Sequence, residues 1–408
     1  MEYTERTLER KFLRMSSSFK AVLVTGARQV GKTTMLRHLA EGQNRTYVTL
    51  DNIMARSLAQ SDPALFFQTY KPPVIIDEIQ RAPQLFEQIK LMCDESEETG
   101  RFWLTGSQRY DMMKNVRESL AGRVCILELY SLTKNEAAGI QFQEELDFSF
   151  PGLLERQKSA GKTDIVDVYE FIWRGGMPQI RMADEELRQE YYNSYIDTYL
   201  MRDVSEAGGI TDAVRFQKFL RACAALTAEM VSYKTLAEAA DIAQPTAKEW
   251  LRVLEGLGII YLLPAYANNE LKRVVKVPKL YFCDTGLCAY LSMWLTRDTL
   301  LNGAASGHYF ENFVVMELVK HFAYAKQKAN LAYYRDSSAR EIDLLVERDN
   351  LVHPLEIKRS ANPDRREIKK YTVLDKGSLE RGCGGIVCMC GQVVPIDRYN
   401  CFIPCNLF

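Results

Sequence analysis

The stretch AVLVTGARQVGKTTMLRHLA, residues 21–40, restricts the possible folds of this chain more than any other. Ala21 to Thr25 reads as a buried strand, and Thr33 to Leu39 reads as a helix with Met35, Leu36 and Leu39 on its inner side. Between them Gly26 and Gly31 bracket four residues, and Lys32 and Thr33 follow. Glycine at those two places lets the backbone curl until its N–H groups face inward, and the helix N-terminus adds a dipole that favours an anion. A strand, a loop and a helix in this order form a phosphate cradle. The pattern predicts an α/β core with a parallel sheet whose ligand lies beyond the carboxyl ends of the strands.

The expected ligand is ATP with Mg²⁺. Gly26, Ala27, Arg28, Gln29, Val30, Gly31, Lys32, Thr33 and Thr34 form the nucleotide-binding loop. Lys32 reaches the β- and γ-phosphates, and the Thr33 hydroxyl ligates the metal. A second segment, VIIDEIQ from Val74 to Gln80, is an apolar strand ending in two carboxylates. Asp77 holds Mg²⁺ through a water, and Glu78 polarises the attacking water. A third strand, RFWLTGSQ, brings Thr105, Gly106 and Ser107 to the same sheet edge. Around ESLAGRV, Arg117 just before it and Arg123 within it lie on either side of a helix. Arg123 has two readings, a charge on the γ-phosphate or a surface ion pair.

Taken in order, GARQVGKTT, VIIDEIQ, LTGSQ and SLAGR resemble the AAA+ type ATP-binding proteins of bacteria and archaea that carry a C-terminal domain of unknown function. A looser relation extends to the archaeal ATPase group. The resemblance implies that Ser107 or Gln108 senses the γ-phosphate and that Arg123 is the arginine finger, joining Lys32 and Glu78 as catalytic residues. An arginine acting in trans implies a homo-oligomer.

With 408 residues the chain needs two or three domains. Its 47% hydrophobic and 26% charged residues are the balance of a folded globular protein. No apolar run approaches the ~18–20 residues of a membrane span, and MEYTERTLERKFLRM lacks a secretory core. A cytoplasmic protein without a membrane partner is expected. A net charge of −1 gives no global attraction for nucleic acid, so any such contact needs a local patch. The ten cysteines contain no CxxC pair and there are four histidines, so reduced buried thiols are expected and zinc is not.

From Leu132 to Gly208 the pattern is helical and charged, broken at GGMPQ (Gly175 to Gln179). YIDTYLMRDV, Tyr195 to Val204, is amphipathic with Arg202 and Asp203 at its tip. The family resemblance covers both elements, and the expectation is a helical connector packed on the ATPase core. Phe216 to Pro264 reads as helix, turn, helix and strand, a winged-helix pattern, with Leu236, Ala239 and Ala240 inward on one helix and Trp250, Leu251 and Leu254 inward on the next. Pro245 opens that second helix. For duplex DNA, Thr246 and Lys248 would face the groove and Lys272, Arg273 and Lys276 the phosphates. The other reading is a protein-packing module.

Gly307 to Phe322 reads as a helix with Phe310, Phe313, Val314, Leu318 and Phe322 on one side and Glu311 beside that stripe. LAYYRD, REIDLLVE and LVHPLEIK follow as three strands. Alternation puts Asp343 and Glu341 on one face and Ile342, Leu344 and Val346 on the other, and lets Asp343, Glu356 and Lys358 meet with Glu311 arriving from the helix. The three carboxylates are candidate Mg²⁺ or Mn²⁺ ligands and Lys358 a catalytic cation. The set resembles the PD-(D/E)xK nuclease fold, with Ile342 in the position before the Asp. A solvated hairpin with cross-strand ion pairs reads the same way.

The expected architecture is an AAA+ type P-loop ATPase domain over 1–130, a helical connector over 131–215, a winged helix over 216–285 and a nuclease-like α/β domain over 300–408. The expected function is a Mg-dependent ATPase whose nucleotide state controls the C-terminal domains, acting on DNA. The alternative is a regulatory or protein-interaction ATPase on a silent nuclease-like scaffold.

Overall fold

The computed structural model describes residues 3–106, 120–142, 144–162, 164–181, 183–266, 277–336 and 338–408. Their contacts divide the chain into two units. The first comprises Met1–Ser131, Tyr195–Thr211 and Arg252–Ile259, and the second comprises Leu132–Ser194, Asp212–Leu251 and Ile260–Phe408. Residues 195–211, expected in the connector, therefore fall with the nucleotide-loop unit, as do 252–259 from the expected winged helix.

The first unit is built on strands β1 (Ala21–Thr25), β2 (Thr46–Thr49), β3 (Val74–Asp77), β4 (Phe102–Thr105) and β5 (Val124–Glu128), in the sheet order β2-β3-β4-β1-β5. Every pairing is parallel. β1, β3 and β4 are buried along their whole length, which is why they read as continuous apolar runs and not as alternation. Leu23, Ile76 and Leu104 from the sheet pack with Phe66, Phe86 and Ile89 from helices. The helix after β1 spans Lys32–Leu39, with Met35 and Leu36 buried and Leu39 only half-buried. Parallel strands gather their carboxyl ends at one edge. That edge holds the loop after β1, Asp77 and Thr105, while Arg123, just before β5, lies at the opposite edge.

The helices Tyr233–Ala240 and Gln244–Gly256 follow the helix Ala213–Ala225; all belong to the second unit except the end of Gln244–Gly256 from Arg252 on, which falls with the first. A small antiparallel sheet joins them: β6 (Glu229–Met230), β7 (Ile260–Leu263) and β8 (Lys279–Phe282), in the order β6-β8-β7. Leu236, Ala237 and Ala240 form the inward stripe of the first of these helices, and Ala239 is exposed, contrary to expectation. Leu236 to Ala240 is the i, i+4 spacing that one helix face requires. Asp241, at φ 52°, ends that helix in the left-handed region.

The helix Ser306–Tyr324 leads into the meander β9 (Asn330–Arg335), β10 (Glu341–Arg348) and β11 (Leu351–Lys358). β12 (Glu380–Arg381) and β13 (Gly384–Cys388) then pair parallel with β11; β15 (Asn400–Pro404) pairs parallel with β13 and antiparallel with β14 (Val394–Pro395). Strict alternation fails on β10. The register against β9 shifts between Ile342 and Leu345, and these two residues share one cluster with Val352, Tyr371 and Leu374. A bulge makes two residues oppose one and resets which face the next side chain takes. Elsewhere in this unit Gly175 (φ 87°) is required by packing, since a Cβ there would lie 2.4 Å from both the Asp284 carboxylate and the Tyr192 hydroxyl. Among the described residues no helix is long and apolar enough to cross a membrane.

Candidate functional site

At the carboxyl edge of the first unit's sheet the chain turns sharply after β1. Gly26 (φ 145°), Gln29 (φ 62°) and Gly31 (φ 97°) all have positive φ. A Cβ at Gly26 would lie 2.1 Å from the Leu129 carbonyl oxygen, so only glycine fits without the backbone moving. Ala27 and Val30 are buried, and Thr34 at the start of the helix is exposed. Arg6, itself buried, fixes the loop from behind by donating to the carbonyls of Val30 at 2.8 Å and Tyr130 at 2.7 Å.

Lys32 is 6% exposed. Its Nζ donates to the carbonyl oxygens of Gly26 at 3.0 Å and Ala27 at 2.7 Å, so the ammonium sits inside its own loop. Burial lowers its pKa to about 8, while Glu78 and Asp77 oppose the shift. An ammonium short of counter-charge in a cradle of backbone groups suits a polyphosphate anion. The Asp77 Oδ1 atom accepts from the Thr33 hydroxyl at 2.5 Å and from the Thr105 hydroxyl at 2.5 Å, and Oδ2 accepts from Tyr47 at 3.3 Å. Hydroxyl and carboxylate oxygens meeting at the mouth of the loop form a hard donor set that fits Mg²⁺.

Glu78 follows β3 in the left-handed region (φ 59°, ψ 46°), an uncommon conformation outside glycine. Its N–H donates to Thr105 Oγ1 at 3.1 Å, and its carboxylate accepts from the Gln80 side-chain amide. Thus Lys32, Thr33, Asp77 and Glu78 come to one edge. Thr105, which the sequence already brought to this edge, completes the set around Asp77 together with Tyr47, which nothing in the sequence marks.

Arg123 does not join them. It lies before a five-residue strand, about 16 Å in length at ~3.3 Å per residue, whose far end is the nucleotide edge. There its Nε and NH2 bind Asp94 at 2.6 and 3.0 Å in a partly exposed ion pair. Ser107, Gln108 and Arg117 lie outside the described residues, as do Lys272, Arg273 and Lys276 of the expected DNA-facing strip.

In the second unit, Asp343 and Glu356 do meet, each buried. Lys358 Nζ lies 2.5 Å from Glu356 Oε1 and 3.9 Å from Asp343 Oδ2, and Asp343 Oδ2 also accepts the Ile357 N–H at 2.8 Å. Lys370 adds a second ammonium to Glu356 Oε1 at 2.6 Å. Glu311 arrives from its helix but is taken by Lys279 at 2.9 Å and the Tyr281 hydroxyl at 2.8 Å. Lys279 also binds Glu341 at 2.6 Å and is 3% exposed, so it is an internal cation and not part of a basic surface. Burial and the charge of Asp343 push both Glu311 and Glu356 up to about 7. Although burial opposes it, Glu311, Asp343 and Glu341 hold Lys279 in its charged form.

Among the described residues no three acidic, histidine or cysteine side chains converge as a metal-holding group. Of the expected trio, Glu311 is bonded to Lys279 and Glu356 to Lys358 and Lys370, while Asp343 lies near both carboxylates, which feel its charge. The helix–turn–helix is not strongly basic either. Lys248 is exposed, but Arg215 is tied to Asp212 and Asp241, and Lys234 to Glu238. Asp212, Arg215, Lys234, Glu238 and Asp241 line an open cavity of about 730 Å³ that also includes Thr246 and Trp250.

A family model for the AAA domain matches residues 18–138. Two domains of unknown function match residues 165–298 (DUF8612) and 306–408 (DUF4143). The uncharacterized proteins Mb2031c of Mycobacterium bovis and Rv2008c of Mycobacterium tuberculosis are each 30% identical over 358 residues, covering 87% of this chain and 74% of theirs. Among solved structures, the Walker-type ATPase Paby2304 of Pyrococcus abyssi is similar with a TM-score of 0.46 and 14% identity, covering 71% of this chain and 96% of that one.

Proposed function

The chain belongs to the AAA-type ATP-binding proteins that carry a C-terminal domain of unknown function, and from that premise we propose that its first unit hydrolyses ATP with Mg²⁺. The observation that carries this reading is the meeting of Thr33, Asp77 and Thr105 at the mouth of the loop, with 2.5 Å between each hydroxyl and the carboxylate. Lys32 supplies a fixed positive charge whose burial makes it strong toward phosphate oxygens. Thr33 and Asp77 hold Mg²⁺, which when bound neutralises charge on the β- and γ-phosphates. Glu78 is the water-polarising base, aimed by its backbone bond to Thr105 and by the Gln80 amide. The assignment of Ser107 as γ-phosphate sensor stays with the family resemblance.

Arg123 sits at the edge of the sheet remote from its own loop, so any contact with nucleotide is in trans, within a homo-oligomer. Phosphate release by the purified chain is the test. Turnover that needs Mg²⁺ and is lost in Lys32→Ala and Glu78→Gln supports the reading, and turnover unchanged by Lys32→Ala refutes it.

For the second unit, the helix, antiparallel meander and parallel β13 support a nuclease-like scaffold, and the helix–turn–helix with β6, β7 and β8 supports a winged helix. The lysines seated on Glu311, Glu341 and Glu356 favour a silent scaffold over phosphodiester cleavage. The reading that follows is a regulatory ATPase whose C-terminal unit binds partners, with protein favoured over DNA because acidic residues balance the lysines and arginines around the helix–turn–helix. Incubation of plasmid and single-stranded DNA with Mg²⁺ or Mn²⁺, with and without ATP, should give no cleavage. Nicking that disappears in Asp343→Ala would restore the nuclease.

A further inference from the structure

The nucleotide loop contains an arginine whose partner comes from a distant part of the chain. Arg28 Nε donates to Asp203 Oδ2 at 2.5 Å, across 175 residues of sequence. The guanidinium is 12% exposed at its side chain and Asp203 is 7% exposed, so this is an internal pair and not a surface one. The Tyr199 ring lies 5.8 Å from the guanidinium carbon. Tyr199 belongs to a turn of π-helix, Tyr195–Leu200, which runs directly into the helix Met201–Gly208 that carries Asp203. Wide turns of this kind inside a helix concentrate at functional sites because they re-aim side chains. On another side of the loop, Gly258 allows close backing, since a Cβ there would lie 3.3 Å from the Ala27 nitrogen.

An arginine fork offers five donors, and this one uses a single donor on protein. Among the described residues the two terminal nitrogens of Arg28 make no hydrogen bond, and Asp203 Oδ1 has no partner although it is buried. The terminal nitrogens are not among the buried unpartnered atoms, so they stay open to solvent and are available to an anion in the loop. Burial opposes the charge on the guanidinium, and Asp203 and, more weakly, Glu78 favour it.

We infer that Arg28 contacts the terminal phosphate of bound ATP in cis and that Asp203 is the positioning residue that holds its guanidinium there. This rests on the ATPase reading above, and it fills in cis the charge-stabilising place that Arg123 cannot take. A pair that only stabilises the fold would move the melting point and leave turnover alone. A positioning pair moves kcat, because the developing charge lies on the γ-phosphoryl group, while ADP, which lacks that group, is held by Lys32 and the loop backbone.

The test uses the full chain and measures kcat and KM for Mg-ATP, ADP affinity and thermal midpoint for wild type, Lys32→Ala, Arg28→Gln, Asp203→Asn and the double variant. Asp203→Asn and Arg28→Gln should each lower kcat about tenfold or more with ADP affinity within about twofold, and the double variant should be no worse than Arg28→Gln alone. Wild-type kcat in folded Asp203→Asn, with Lys32→Ala inactive, overturns this inference and spares the ATPase reading. Equal turnover in wild type and Lys32→Ala overturns both. Should Asp203→Asn alone fail to fold, the double variant, which buries no unpaired charge, decides: turnover equal to that of Arg28→Gln supports the coupling, and a further tenfold loss overturns it.

Discussion

Replacing Lys279 by methionine keeps the length of the side chain and removes an ammonium that sits between two carboxylates. The ammonium lies 2.9 Å from Glu311 and 2.6 Å from Glu341, with its side chain 4% exposed. Breaking a buried pair from one side leaves an uncompensated charge, which costs about 3–5 kcal/mol. Glu341 keeps Arg335 at 2.9 Å, so most of the loss falls on Glu311, which retains only the Tyr281 hydroxyl and lies near the charge of Asp343. The effect has a pH signature. Glu311 stands at about 7 against an ordinary value of 4.5, so in the wild type its contribution to stability declines as pH rises from 4.5 to 7. Without Lys279 the folded value rises further and the decline extends to higher pH. The deficit of Lys279→Met should therefore be larger at pH 8 than at pH 5.5, where Glu311 is protonated in the folded chain. Urea unfolding followed by fluorescence at both pH values reads it as a shift in midpoint. Equal midpoints for variant and wild type at pH 8, or a deficit independent of pH, would refute the picture of Lys279 as the neutralising cation of this core.

Other perturbations address the nucleotide edge. Gly26→Ala places a methyl against the Leu129 carbonyl oxygen in a backbone region that alanine rarely adopts, and should cost about 2–4 kcal/mol together with nucleotide binding, as read by thermal unfolding with and without ADP. Arg123→Ala removes a partly exposed ion pair, so the melting point should barely move. If Arg123 works in trans, turnover per protomer rises with protein concentration in the wild type and stays flat in the variant; a strictly monomeric chain with full activity removes that role. Lys32, lowered to about 8 by burial, is charged below that pH and neutral above it. ADP affinity measured by calorimetry should then weaken as pH rises through 8, and an affinity constant from pH 7 to 9.5 would contradict the placement of its ammonium.

The first unit was largely legible because its strands are apolar runs closed by residues that only one kind of loop needs: Gly26, Gly31, Lys32 and Asp77. The loop's supports were not. Asp203 reads as the polar tip of an amphipathic helix, and Arg6 as one charge among several at the N-terminus, because long-range ion pairs leave no local period. The C-terminal meander was legible from its alternation and turn, but the bulge at Asp343 and Leu344 was not, since a register slip depends on the partner strand. Lys279 shows the same limit. Among neighbouring basic residues it reads as surface, yet β8 carries it inward to Glu311 and Glu341.

Steady-state phosphate release by the purified full chain with Mg-ATP, compared with the same chain carrying Lys32→Ala or Glu78→Gln, bears most directly on the function. Magnesium-dependent turnover in the wild type, abolished by Lys32→Ala together with nucleotide binding and reduced at least about a hundredfold by Glu78→Gln with binding retained, is the predicted result. Turnover equal in all three proteins, or none in any at saturating Mg-ATP, would contradict it.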